Sequence, residues 1–142
     1  MKNKYNLILS FLDLFSVSCA TTKDTRNNDL FDKTWELEYI SGTRIAFDGL
    51  YPDKKPVITF NKSTGMITGN NSCNGYSANF TVKGDSIATG EPGPATLMYC
   101  GEGEPQFLKM MKKIKTFSID QEGKLNLKFG EVPMMRFRKI ID

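Results

Sequence analysis

The stretch Asn71-Ser72-Cys73-Asn74-Gly75-Tyr76 sets a cysteine between turn formers, in a chain with two other cysteines, Cys19 and Cys100, and no histidine. A cysteine can be a nucleophile, a metal ligand or half of a crosslink. A nucleophile needs a partner that makes the thiolate, most often an imidazole, and this chain has none. Three cysteines without histidine cannot make the four-thiolate or histidine-containing zinc sites within one chain. No G-x-x-x-x-G-K-[ST] or G-x-G-x-x-G motif is present, and in Gly101-Glu-Gly-Glu-Pro105 two glutamates would repel a phosphate. Glu36 and Glu38 are a possible carboxylate pair, but they fall on the outward phase of a strand pattern, where solvated carboxylates are ordinary. The expectation is a protein that is not an enzyme and needs no cofactor or metal.

The crosslink depends on where the chain goes. Lys2 and Lys4 precede an apolar run from Leu7 to Phe15, then Ser16-Val17-Ser18 and Cys19, the order of a secretory signal. A cysteine directly after the small residues resembles a bacterial lipobox, with cleavage before Cys19 and a diacylglycerol on its thiol. Asp13 within the run and Ser16 where a leucine is usual depart from that pattern. An ordinary cleaved signal and a short membrane anchor are the alternatives. Residues 1–18 are therefore read as a signal peptide, 19–30 as a lipid-anchored flexible tether, polar with little to bury, and 31–142 as one domain. Ala20 follows Cys19 where inner-membrane retention signals carry aspartate. By resemblance to other Gram-negative lipoproteins, the expected place is the outer membrane, on either face.

Lipidation of Cys19 leaves an even pair in an oxidising compartment. A Cys73–Cys100 disulfide is expected, with a buried free thiol, a pair too far apart to bridge and a redox-active pair as the alternatives. The bridge would contribute roughly 3 to 4 kcal/mol in the chain-entropy picture.

The elements that must hold these residues are mostly strands. Apolar and polar residues alternate at Trp35, Leu37 and Tyr39, at Ala78, Phe80 and Val82, and at Leu125, Leu127 and Phe129. Further strands are expected at 57–60, 66–69, 86–89, 116–119 and 134–139. Turn formers separate them at 61–65, 83–85 and 120–123. Residues 104–115 change period: Phe107, Leu108, Met111 and Ile114 share one helical face, lysines take the other, and Pro105 opens the first turn. About eight short strands and one late amphipathic helix predict a small antiparallel sheet curled into a partial barrel, the helix covering one opening or flank. Residues 41–56 read as an ordered loop, with a short strand at Arg44 to Phe47.

The order Trp35-Glu-Leu37, Pro56-Val-Ile-Thr-Phe-Asn61, Gly69-Asn-Asn-Ser-Cys-Asn-Gly-Tyr76, Thr96-Leu-Met-Tyr-Cys100, Glu104-x-x-Phe-Leu108 and a closing Leu125-x-Leu127 then Arg136-Phe137 resembles the META domain, the HslJ-like family of envelope lipoproteins and secreted proteins. The resemblance spans about residues 33 to 139. It implies a lipocalin-like partial barrel with one helix, and an association with stress tolerance without a defined molecular mechanism. The family's motif residues fall on Trp35, Asn74, Tyr76, Thr96 and Met98. A structural role is favoured for them: Asn74 in a turn, Tyr76 and Met98 in the core.

With 19 basic and 16 acidic side chains, the net charge of +3 gives no reason to expect nucleic acid. The expected partner is the membrane, through the N-terminal lipid, with the domain itself monomeric. A barrel-type carrier of an apolar ligand would show an interior void. A protein-binding module, such as an inhibitor or a secretion pilot, would show an exposed apolar patch or protruding loop, with 41–56 the candidate. The lysines at 109, 112, 113 and 115 fit either a solvated helix face or a contact with anionic head groups.

Overall fold

Alternating inward and outward side chains give eight strands in the computed structural model, which describes residues 27–141: β1 (Thr34–Ile40), β2 (Val57–Asn61), β3 (Met66–Asn70), β4 (Gly75–Lys83), β5 (Ser86–Thr89), β6 (Thr116–Ile119), β7 (Leu125–Phe129) and β8 (Val132–Lys139). Helix α1 (Phe47–Leu50) follows β1, and α2 (Gly103–Lys113) precedes β6. Cys19, the predicted leader and most of the predicted tether lie outside the described residues.

Each strand pairs antiparallel with its sequence neighbours and β8 returns to β1, so the sheet is a closed ring where a partial barrel is expected. The thinnest join is β5 to β6. It has one registered pair, Ser86↔Thr116, flanked by hydrogen bonds from Ile87 N–H to the Lys115 carbonyl and from Phe117 N–H to the Asp85 carbonyl, both 2.9 Å.

Up-and-down order has a simple consequence for the connections. One end of the ring carries the chain's entry and exit and the β2–β3, β4–β5 and β6–β7 turns. The other carries the β1–β2, β3–β4, β5–β6 and β7–β8 connections, and with them both helices. We call these the entry end and the capped end.

The inward phase of every strand is filled: Trp35, Leu37, Ile58, Phe60, Ile67, Tyr76, Ala78, Phe80, Ile87, Phe117, Leu125, Leu127, Met135 and Phe137 are all buried. Two residues depart from the predicted phase: Phe129, exposed at the end of β7 after a register shift past Leu127, and Tyr39. Leu37 pairs with Phe137 but Tyr39 with Arg136, so Glu38 is a bulge residue, and the strand flips by one position to bury Ile40 and expose Tyr39. Outside the ring, Glu36 accepts from Arg138 Nε (2.9 Å), and Glu38 accepts from Arg136 Nε (2.9 Å) and pairs with Lys124 Nζ (2.9 Å). Burial pushes the Glu38 carboxyl up, but the two cations outweigh it and hold it below the ordinary value.

Two predicted segments are corrected. The fold begins before residue 31: Leu30 is fully buried, its carbonyl accepts Trp35 Nε1–H at 3.0 Å, and Phe31 stacks on Phe80 at 6.1 Å. Leu30, expected in the tether, thus helps plug the entry end. Within 41–56, the expected short strand at Arg44 to Phe47 is replaced by α1. One helical turn is too short to show a period, and it is held by Leu50 N–H to the Ala46 carbonyl (3.0 Å) and by the Phe47 and Tyr51 rings, 5.2 Å apart.

Helix α2 lies across the capped opening. Phe107, Met110, Met111 and Ile114 point inward and are buried, and Phe107 meets Tyr76 edge-on at 5.3 Å. Gln106 Nε2 donates to the Ser41 carbonyl at 2.6 Å, tying the helix to the end of β1. Gly103 lets the helix start dock closely: a Cβ there would sit 2.5 Å from the Leu50 carbonyl oxygen and from the Tyr51 ring, whose hydroxyl donates to the Gly103 carbonyl at 2.8 Å. Burial holds the Tyr51 hydroxyl well above the ordinary tyrosine value.

Candidate functional site at the capped end

The central motif forms the β3–β4 connection, residues 71–74. Its geometry starts at Gly69, where a side chain would overlap the Val57 carbonyl across the β2–β3 ladder, so only glycine lets β3 approach there. Ser72 takes a left-handed φ of 128° and is held by Oγ donating to the Lys54 carbonyl at 2.9 Å. This turn presents Asn74 beneath the long β5–α2 segment.

Asn74, 1% exposed, is the hub. Its Oδ1 accepts from Thr96 Oγ1 (2.8 Å) and from Met98 N–H (3.1 Å). Its Nδ2 donates to the Met98 carbonyl (2.7 Å) and to Glu104 Oε2 (2.7 Å). Asn71 Nδ2 donates to the other oxygen, Glu104 Oε1, at 2.8 Å. One buried amide therefore fixes the loop, while the paired amides fix the start of α2. Cys73 is bonded to Cys100, with their Cα atoms 6.1 Å apart, closing the same loop on the same turn. Farther back, Gly90 and Gly93 N–H groups donate to the Asn79 and Ser77 carbonyls, both at 2.8 Å, so the segment runs along β4 before reaching Asn74.

What this machinery displays is apolar. Leu97, Met98 and Tyr99 are 97%, 61% and 83% exposed. With Pro105 and Leu108 of α2 they border an open cleft of about 350 Å³, floored by Asn74 and Glu104. On the other flank of α2, Arg44, Ile45, Leu50, Glu102, Pro105 and Lys109 line a second cleft, of about 370 Å³. The β7–β8 hairpin adds the registered pair Phe129 and Val132, 56% and 60% exposed.

The predicted motif residues separate into groups. Asn74, Thr96, Cys73, Cys100 and the Met98 backbone meet in one cluster. Tyr76 is core, and burial pushes its hydroxyl up to about 12. Trp35 is core at the entry end, remote from the cluster. Met98 is the correction: its side chain, expected in the core, faces outward. It belongs to no strand, and its position is set by the backbone contacts to Asn74 rather than by an inward phase. The sequence pattern places Glu104 at the start of Glu104-x-x-Phe-Leu108 but does not mark it as a site residue, because its partners Asn71 and Asn74 stand some thirty positions earlier. Among the described residues no cluster of histidine, cysteine, aspartate and glutamate forms a metal-binding group.

A family model for the META domain matches residues 28–140. An NMR structure of a protein from Burkholderia xenovorans has a similar fold, with a TM-score of 0.60 and 20% identity over 80% of this chain and 85% of that one. No curated protein matches this chain.

Proposed function

The chain belongs to the META domain family, and from that premise we propose that it is a non-enzymatic cell-envelope protein, held by a lipid on Cys19, that acts by contact at the membrane as part of stress tolerance. One observation carries the contact reading. The side chains of the central motif that could do chemistry are used to display a loop: the thiols bind each other, and the Asn74 amide is committed to Thr96, Met98 and Glu104. The filled inward phase of the ring supports contact over carriage of a ligand inside. An exposed patch of the kind a binding module would show lies at 97–99; within 41–56, among the described residues, the exposed large apolar side chain is Ile45, on the other flank of α2. The sequence features that support the anchor and the outer-membrane location are the apolar leader, Cys19 and Ala20.

The test is the intact mass of the protein made with its native leader, before and after reduction and alkylation, with the mature N-terminus mapped. A diacylglyceryl group on Cys19, with Cys73 and Cys100 alkylated only after reduction, is the expected result. An unmodified Cys19 in an uncleaved chain would remove the anchor from this account.

A further inference from the structure

We propose that the capped end is a docking face for an anionic lipid surface, separate from any acyl group on Cys19. Chain topology places the apolar tips together. Leu97, Met98 and Tyr99 lie in the β5–β6 connection, Ile45 in the β1–β2 connection, and Phe129 and Val132 on the β7–β8 hairpin. Apart from Tyr39 on the ring wall, the large exposed apolar side chain outside this end, among the described residues, is Ile141 near the exit. Scattered exposed apolar residues need no explanation; their confinement to one end does.

Between the tips lies the outer face of α2 and its C-terminal flank, with Lys109, Lys112, Lys113 and Lys115. Among the described residues only Lys112 has an ion-pair partner, Glu91 at 2.8 Å. Of the acidic groups by the 97–99 loop and the β7–β8 hairpin, Glu104 accepts from Asn71 and Asn74, and Glu131 pairs with Lys128 at 3.7 Å, while Glu102 lines the cleft beside Ile45. Asp48, Asp53 and Glu102 sit on the α1 side. The basic stripe therefore borders the hairpin and the 97–99 loop.

Separate apolar projections around a basic stripe suit a bilayer better than a protein. A protein interface gathers its apolar area into one desolvated core, whereas lipids close around each tip independently while head-group phosphates meet the lysines. Tyr99 is of the type that sits at a membrane interface, with an apolar ring and a polar hydroxyl. The loop is already fixed by Asn74 and the disulfide, so insertion orders little that is not ordered beforehand. No described helix is long and apolar enough to cross a membrane, and lying on the surface requires none.

The experiment uses the chain from residue 19 with Cys19→Ser, so that neither an acyl group nor the leader contributes, after circular dichroism and thiol titration confirm a folded, disulfide-closed domain. It is floated with vesicles of phosphatidylethanolamine and phosphatidylglycerol, and with phosphatidylcholine alone. We expect co-flotation with the anionic vesicles only, weakening as salt rises. Leu97→Ser with Tyr99→Ser, and separately Lys109→Glu with Lys113→Glu, each lower the partition coefficient about tenfold. Lys83→Glu with Lys139→Glu, away from the capped end, leaves it unchanged. A folded chain that stays out of the anionic vesicle fraction overturns the proposal. So does equal loss in the Lys83/Lys139 variant, or self-association through Leu97 and Tyr99 without vesicle binding, which would make the occupant a second copy. Because the probe carries no lipid, its result stands apart from that of the Cys19 mass measurement.

Discussion

The two ends of the ring solve the same problem in opposite ways. At the entry end, local polar turns and a short plug suffice: Leu30 and Phe31 fill the opening, the Leu30 carbonyl takes Trp35 Nε1–H, and Lys62 covers the Phe31 ring at 5.4 Å. Little apolar surface is left out. At the capped end the opening is closed as well, by Phe107, Met110, Met111 and Ile114, yet six large apolar side chains remain exposed around that lid. Exposure there is not a shortage of core. It is built, because a disulfide and a buried amide hub hold the exposed loop in place.

Removing the supports of one end and then the other sharpens this contrast. The largest effect is expected for Cys73→Ser with Cys100→Ser, which should lower stability by roughly 3 to 4 kcal/mol. Hydrogen exchange should then accelerate in residues 90–102 while the β2–β3 hairpin stays protected. Acceleration spread evenly over both ends would break the distinction.

Asn74→Ala follows, at about 2 to 3 kcal/mol by chemical denaturation, since it strips partners from the Met98 backbone and leaves Glu104 half-satisfied in a partly buried place. Trp35→Phe acts at the entry end. It should cost about 2 kcal/mol, because the Leu30 carbonyl loses its donor and the smaller ring leaves a void in a fully buried place; vesicle flotation of the folded variant should match the parent.

Glu38→Gln belongs to neither end, and its effect is the smallest, less than about 1 kcal/mol near neutral pH. The folded carboxyl lies below the ordinary 4.5. Its contribution is therefore present above that pH and lost as pH falls through the lower folded value, so denaturation curves of parent and variant should converge in acid.

The same contrast decides what could be read from the sequence. The entry-end turns announce themselves in Asn61-Lys-Ser-Thr-Gly65, Lys83-Gly-Asp85 and Asp120-Gln-Glu-Gly123, where glycine and local side-chain hydrogen bonds make the bend. Asp120, for example, accepts the N–H groups of Glu122 (3.0 Å) and Lys124 (2.9 Å). Strand phase was equally legible, except where the bulge at Glu38 moved Tyr39 outward and where the register shift after Leu127 leaves Phe129 exposed at the hairpin. The capped end was not, because its connections are shaped by partners far away in sequence. Nothing near Glu104 signals Asn71 and Asn74, and nothing near Met98 shows that its backbone, rather than its side chain, is what Asn74 holds. Helix α2 was visible from its period; that its outer lysines share an end with Phe129 and Val132 required the ring topology.

The most direct test of the claim that the capped end is the working end places a tryptophan at each end in turn. Leu97→Trp and Ile141→Trp put the probe on an exposed side chain of each end, against the constant background of buried Trp35. With vesicles containing phosphatidylglycerol and brominated acyl chains, Leu97→Trp emission should shift to shorter wavelength and be quenched, while Ile141→Trp stays unchanged. Quenching of Ile141→Trp alone, or of neither, would contradict the account.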